Sequence, residues 1–213
     1  MSERTRVRRL PDKAVHDRAT LDDILDEGLV AHVGVIDDHI PVVLPMGYAR
    51  RDNHVILHGS SGSRLMRALT QGSPCCVTVT LLDGLVYARS SFESSMNYRS
   101  ALVLGSARQL TGDDELDALH VLSEHLLPGR WEEARQPSKK ERAATVTVAL
   151  PIDEWSVKVS AGGPDDDPTD RETEPWRSIW AGHVPLAQVL MPAVTDKHVP
   201  TGVPVPNYVQ QRT

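Results

Sequence analysis

Runs of β-forming residues joined by tight turns dominate this chain, and strand and helix patterns do not alternate regularly along it. Leu29 to Ile36, the turn Asp37-Asp38-His39 and then Ile40 to Tyr48 predict a β-hairpin. Arg50-Arg51-Asp52-Asn53 predicts the next turn, leading into His54–Leu57. Cys75 to Leu82 alternates Val and Thr, and Asp83-Gly84 is a hairpin-turn signal returning through Leu85 to Ser90. Tyr98 to Leu110, Ala144 to Leu150 and Trp155 to Val159 bring the total to about seven strands. Helices are expected between them: one from a Thr20 cap to Glu27, one over Ser63 to Leu69, and one over Asp113 to Leu127 with Thr111 or Asp113 as its cap. A further one starts at the capping box Ser138-Lys139-Lys140-Glu141. This order predicts a mainly β protein, an antiparallel split barrel with peripheral helices, and argues against a doubly wound sheet.

The 213 residues suit one domain with a full core. The expected division is an Arg-rich N-terminal arm at 1–19, the barrel at 20–187 and a Pro-rich tail at 188–213 that wraps over a surface. A net charge of −6 argues against a protein that coats nucleic acid. No apolar run approaches the ~18 residues of a membrane helix, and the charged start lacks a secretory h-region. Cys75 and Cys76 are adjacent, so on a strand they point to opposite faces and do not pair with each other. They read as small core residues in a reducing compartment, and the expected location is cytoplasmic.

The strongest chemical signal is His58-Gly59-Ser60-Ser61-Gly62-Ser63-Arg64, placed between a strand and a helix start. Free backbone N–H groups at a helix start attract anions, the glycines allow close approach, and Arg64 adds a cationic fork. The segment lacks the GxGxxG spacing and the Walker lysine, so it suggests a phosphorylated ligand without naming one. A second polar cluster, Ser94 to Ser100, places Asn97, Tyr98 and Arg99 at the entrance to a strand, where they can read a heterocycle edge, stack on a ring or pair with an anion. Trp176 and Trp180 are notable in an aromatic-poor chain. His120 and His125 fall on different helix faces. His54 and His58 share a strand face without an evident third ligand, so no metal site is expected.

These segments together resemble the pyridoxamine 5′-phosphate oxidase-like family of FMN-binding split β-barrels, with closest likeness to its flavin-nucleotide-binding, nitroimidazole-resistance-type branch. Leu57-His58-Gly59-Ser60 with Ser63-Arg64, Thr78 to Val86 with Ala88-Arg89-Ser90, and Met96-Asn97-Tyr98-Arg99-Ser100 carry the resemblance. Pro128-Gly129-Arg130-Trp131 and Trp180-Ala181-Gly182 with Pro185-Leu186 complete it. The resemblance implies FMN as cofactor and a homodimer with its sites at the subunit interface. It implies a cofactor-binding set of Pro45, Met46, His58, Gly59, Ser60, Ser63, Arg64, Thr80, Asn97, Tyr98, Arg99, Ser100 and Trp180. Ser63-Arg64 is similar to the start of the oxidases' Ser-Arg-Lys phosphate element, but Leu65 stands in the third position. The oxidases' C-terminal Arg-Leu substrate element is missing. The implied activity is a flavin-dependent oxidoreductase of an unnamed small molecule, with His58 and Tyr98 as candidate proton-handling residues. The alternatives are a non-catalytic flavin-sequestering protein, or a split barrel carrying a deazaflavin or haem.

Overall fold

The computed structural model describes residues 2–212. Ten strands form one mainly antiparallel sheet that does not close on itself. They are β1 (Ala14–Val15), β2 (Val30–Asp37), β3 (Ile40–Arg51), β4 (His54–Ser60), β5 (Pro74–Tyr87), β6 (Ser95–Ser106), β7 (Arg108–Gln109), β8 (Thr145–Pro151), β9 (Glu154–Ser160) and β10 (Gly182–Pro185). The order across the sheet is β1-β9-β6-β5-β2-β3-β4-β8-β7, with β10 added along the end of β5. The helices are α1 (Arg18–Glu27), α2 (Arg64–Thr70), α3 (Asp113–Leu126), α4 (Arg130–Glu133), α5 (Lys139–Ala144), α6 (Pro168–Glu172) and α7 (Asn207–Gln210).

Side-chain alternation along the strands divides the residues between two faces. Ala31, Val33 and Val35 of β2, Val77 and Val79 of β5, and Ala101 and Val103 of β6 are buried on the inner face. They meet Leu21, Ile24 and Leu25 of α1 and Leu65, Met66 and Leu69 of α2 in one core. Each such large side chain contributes about 1.5–3 kcal/mol by leaving water, an upper figure because the unfolded chain is itself partly compact. On the opposite side, α3 packs Ala118 and Leu122 against Ala49, Ile56 and Ala149. The α3 helix packs on β3, β4 and β8, while Thr80, Leu82, Leu85 and Tyr87 of β5 and Met96 of β6 are exposed on the outer face.

Several local expectations change. Asp83-Gly84 is a β-bulge inside a single long β5 and not a hairpin turn: the register with β6 shifts between Leu82 and Gly84. The Asp83 carboxylate accepts from Arg99 Nε at 3.0 Å and Nη2 at 2.9 Å, which occupies the aspartate side chain. Gly84 is small because β10 crosses it, and a Cβ there would lie 2.9 Å from the Val184 carbonyl oxygen. The chain reverses further on, where Ser94 Oγ accepts from Ala88 N and donates to Ser90 O. The cap of α1 is Asp17, whose carboxylate accepts from Thr20 N at 3.0 Å; Thr20 is already helical. Gly112 precedes α3 without a side-chain cap. The capping box at Ser138 and Glu141 forms as expected.

Tyr48 links α1 to the sheet. Its ring is fully buried, and its hydroxyl donates to the Leu25 carbonyl at 2.7 Å. Tyr48→Phe leaves that buried carbonyl without its donor and should cost about 1–2 kcal/mol. A chemical-denaturation series should show a lowered midpoint with an unchanged slope.

Candidate functional site

The strand pairings place several of the expected residues on the outer face. His58 lies opposite Thr147, Pro45 opposite His32, His32 opposite Thr78, and Thr80 opposite Ser100. Tyr98 precedes Ser100 by two residues and lies on the same side. Beyond the bulge, Leu85, Tyr87 and Met96 continue this face and are all substantially exposed. The surface therefore runs from β4 to β6 with hydroxyls at Thr80, Ser100 and Tyr98. Its nearer end carries apolar groups: Gly34, Ile36, Pro41, Val43, Cys76 and Leu104 line a groove of about 460 Å³. Ile36 and Val43 are each 60% exposed.

Other expected residues lie elsewhere. Met46 is opposite the buried Ala31 and packs against the core. Asn97 is 7% exposed on the inner side, where its Nδ2 donates to the Gly162 carbonyl at 2.9 Å and holds the 161–163 loop. Arg99 is clamped between Asp83 and Glu27, with Nη2 2.8 Å from Glu27 Oε1. Hydrogen bonds to Glu27 and then to Asp83 push its pKa up, and the bond to Arg99 pulls the Glu27 carboxyl down. Its charge is used to pin α1 to the bulge.

The segment from His58 to Arg64 has three separate roles. Gly59 sits against the core: a Cβ there would come within 2.8 Å of Met66 Cγ, so glycine is required by packing. Ser60 Oγ accepts from Gly62 N, and Ser63 caps α2 by accepting from Met66 N. Gly62 borders open space, with only Ser60 Oγ near at 3.7 Å. Arg64 extends into solvent and meets Asp37 Oδ2 at 3.5 Å, while Leu65 is buried and offers no charge.

His58 differs from the other histidines. Its Nδ1 is buried without a partner, and so is Oγ1 of its cross-strand neighbour Thr147. Burial pulls the His58 pKa below its ordinary 6.5, which keeps the ring neutral at physiological pH. Trp180 is 65% exposed and lies over Gly182, with its ring centroid 5.8 Å from that of Tyr87 in a tilted arrangement. The loop before it is tied down by buried Asp166, which accepts from Arg89 N at 2.7 Å and from Arg89 Nη1 at 2.6 Å. His32 sits in the middle of the outer face and was not singled out from the sequence. The alternation of Val30, His32, Gly34 and Ile36 against the buried Ala31, Val33 and Val35 was the signal that could have found it.

Of the two cysteines, Cys75 is buried and Cys76 is half-buried on the outer face, and both are free. Burial pushes the Cys75 thiol up to about 11, so it is an unreactive core residue. Among the described residues no helix is long and apolar enough to cross a membrane.

A family model described as pyridoxamine 5′-phosphate oxidase matches residues 17–159. No curated protein matches the chain. Among solved structures, the FAD and haem binding protein from Mycobacterium smegmatis is 41% identical, with a TM-score of 0.89 over 94% of this chain and 97% of that one. The flavocytochrome Anf3 from Azotobacter vinelandii is 37% identical, with a TM-score of 0.92 over 100% of this chain and 97% of that one. A putative 5-nitroimidazole antibiotic resistance protein from Bacteroides thetaiotaomicron shares the fold at 22% identity, with a TM-score of 0.59 over 68% of this chain and 86% of that one. The chain belongs to the pyridoxamine 5′-phosphate oxidase family.

The depressed His58 pKa has a consequence for stability. As pH falls below 6.5, the unfolded chain takes up a proton at this position that the folded chain resists, so stability falls with pH. The contribution is fully present above 6.5. Denaturation midpoints between pH 7.5 and 5.5 should drop more steeply for the wild type than for His58→Gln. Parallel pH profiles would contradict the assignment.

Proposed function

We propose that this protein is a flavin-dependent oxidoreductase of a small molecule, acting as a homodimer. The observation that supports this reading is the outer face, which combines the exposed Thr80 hydroxyl, the half-buried Ser100 and Tyr98 hydroxyls and the exposed Tyr87–Trp180 ring pair. Arg64 is solvent-facing, and its single ion pair to Asp37 is long enough for a phosphate to compete. The Thr80 and Ser100 hydroxyls stand on adjacent strands, and Tyr98 and Tyr87 offer ring surfaces. These residue types fit a flavin: a cation for its phosphate, hydroxyls for its polar edge, aromatics for its ring. When bound, the flavin supplies the hydride or electron chemistry. The chain's own residues orient it and exclude water, with Tyr98 and the neutral His58 available to move a proton. Close relatives described as flavin-binding support the reading. The free cysteines suit a cytoplasmic setting.

The apolar half of the same face supports a second copy of this chain as its cover. A contiguous groove flanked by exposed Ile36 and Val43 is unusual for a lone subunit. A two-fold partner would enclose both the groove and the site.

His58 favours a second cofactor. Similar proteins are described as haem-binding or as a flavocytochrome, and a neutral imidazole is the form that ligates haem iron, so His58 is the candidate ligand if haem binds. In that case the protein passes electrons between flavin and haem.

Arg64→Ala should lower flavin affinity about tenfold or more in a fluorescence titration, the loss expected for one charge-assisted contact to phosphate. Unchanged flavin binding contradicts the phosphate assignment. His58→Ala should abolish the Soret absorbance of haem-reconstituted protein while leaving bound flavin in place.

A further inference from the structure

His58 of β4 and Thr147 of β8 form one rung of the sheet. The neighbouring rung on the same face pairs Ile56 with Ala149, and α3 packs against both through Ala118 and Leu122. Thr147 is 1% exposed, and its Oγ1 has no hydrogen-bond partner. His58 Nδ1 is buried and has none either. His58 as a whole is half-buried, so with Nδ1 inside, the exposed edge of the ring is the one that carries Nε2. Among the described residues, Arg89 Nε and Arg142 Nε are also buried without a partner, but each belongs to a guanidinium that is engaged through another nitrogen. The Thr147 side chain has no second polar atom to fall back on.

Side chains directly opposite each other on neighbouring strands have Cβ atoms about 4.5–5.5 Å apart. A turn of Thr147 about χ1 brings a hydroxyl and a ring nitrogen at that spacing into hydrogen-bond contact. Two polar groups left unpaired in a dry place cost free energy that a bond between them recovers. The bond can run in either direction. A neutral imidazole carries its proton on one nitrogen and a lone pair on the other, and a hydroxyl both donates and accepts. If Thr147 donates to Nδ1, the surface nitrogen Nε2 is an N–H donor. If Thr147 accepts from Nδ1–H, Nε2 presents a lone pair. The proton-accepting and iron-ligating roles read above for His58 both require the second arrangement.

We infer that Thr147 is the positioning residue of His58: its Oγ1 accepts from Nδ1–H, fixes the orientation of the ring and holds the Nε2 lone pair toward the outer face. The inference rests on the reading of His58 in the proposed function and adds a partner on a second strand. Both residues sit on paired strands beside α3, so the ring is held by rigid elements at its buried edge and meets a ligand at the other. Serine in place of Thr147 keeps the acceptor. Valine keeps the shape and removes it.

Nitrogen-15 NMR of the full-length protein, labelled in its histidine rings and kept without added cofactor at about pH 7.5, reads the tautomer, because protonated and bare ring nitrogens differ widely in chemical shift. The His58 signals are assigned by their loss in His58→Gln. In the wild type, His58 should be protonated at Nδ1 and bare at Nε2. Thr147→Ser should keep that tautomer. Thr147→Val should move the proton to Nε2, the form a free imidazole prefers, while the signals of the other histidines stay in place. A wild-type ring protonated at Nε2 overturns the assignment. A tautomer that Thr147→Val leaves unchanged also overturns it, because a buried water or another group then holds Nδ1. If Thr147→Val does not fold, Thr147→Ala, which also lacks the acceptor, takes its place. Flavin titration of the same samples keeps the two readings apart. A wild type with the Nδ1–H tautomer that binds no flavin overturns the flavin reading alone, and flavin binding with an Nε2–H ring overturns this assignment alone.

Discussion

Val33 of β2, Val77 and Val79 of β5, and Ala101 and Val103 of β6 lie on one side of the sheet with almost no exposure. Their burial against α1 and α2 fixes the strand register, because a slip of one residue would expose all five. With the register fixed, the residues between them must face outward. His32, Thr78, Thr80, Ser100 and Tyr98 reach the outer face for this reason. The packing of the inner face thus sets the geometry of the candidate site.

The site is assembled at the places where this regular sheet is interrupted. The bulge at Asp83 offsets the end of β5, so that Leu85 and Tyr87 face outward beside Met96. Arg99 stabilises the bulge by bridging Asp83 to Glu27, which also ties the end of α1 to it. Asn97 and Asp166 then anchor the loop that leads to Trp180. Arg99 and Asn97 lie next in sequence to the outward residues Tyr98 and Ser100, and they support the site from the other side of the sheet.

Much of the architecture was legible in the sequence because it depends on local signals. The Asp37–His39 hairpin, the Ser138 capping box and the break at Gly72–Pro74 follow from turn and cap chemistry acting over a few residues. Asp83-Gly84 was misread because its physical cause is distant. The same dipeptide makes a turn when its aspartate is free, and here Arg99 and β10 engage it from elsewhere in the chain. Gly59 shows the same limit. Its smallness suggested room for a ligand, whereas the structure fills that space with Met66. Which side of the sheet each residue of the expected set takes is likewise not readable from sequence, because it depends on strand parity. Met46 and Pro45 are adjacent in sequence and lie on opposite sides of the sheet, which becomes evident only when the partner strand is known.

The two ends of the outer face differ in chemistry. Near Thr80 and Tyr98 the surface mixes hydroxyls with the exposed apolar side chains of Leu82, Leu85, Tyr87 and Met96. Around His58 the surroundings are dry enough to leave two polar atoms unpartnered, and such a site favours a neutral ring and a permanently held group. Neighbouring strands lie about 4.8 Å apart, so the four steps from β4 to β6 separate the two ends by roughly 19 Å across one subunit. The α3 helix already covers the sheet around Ile56, so the dry surroundings near His58 come from this chain's own packing, while over β5 and β6 the outer face keeps Thr80, Leu85 and Tyr87 exposed.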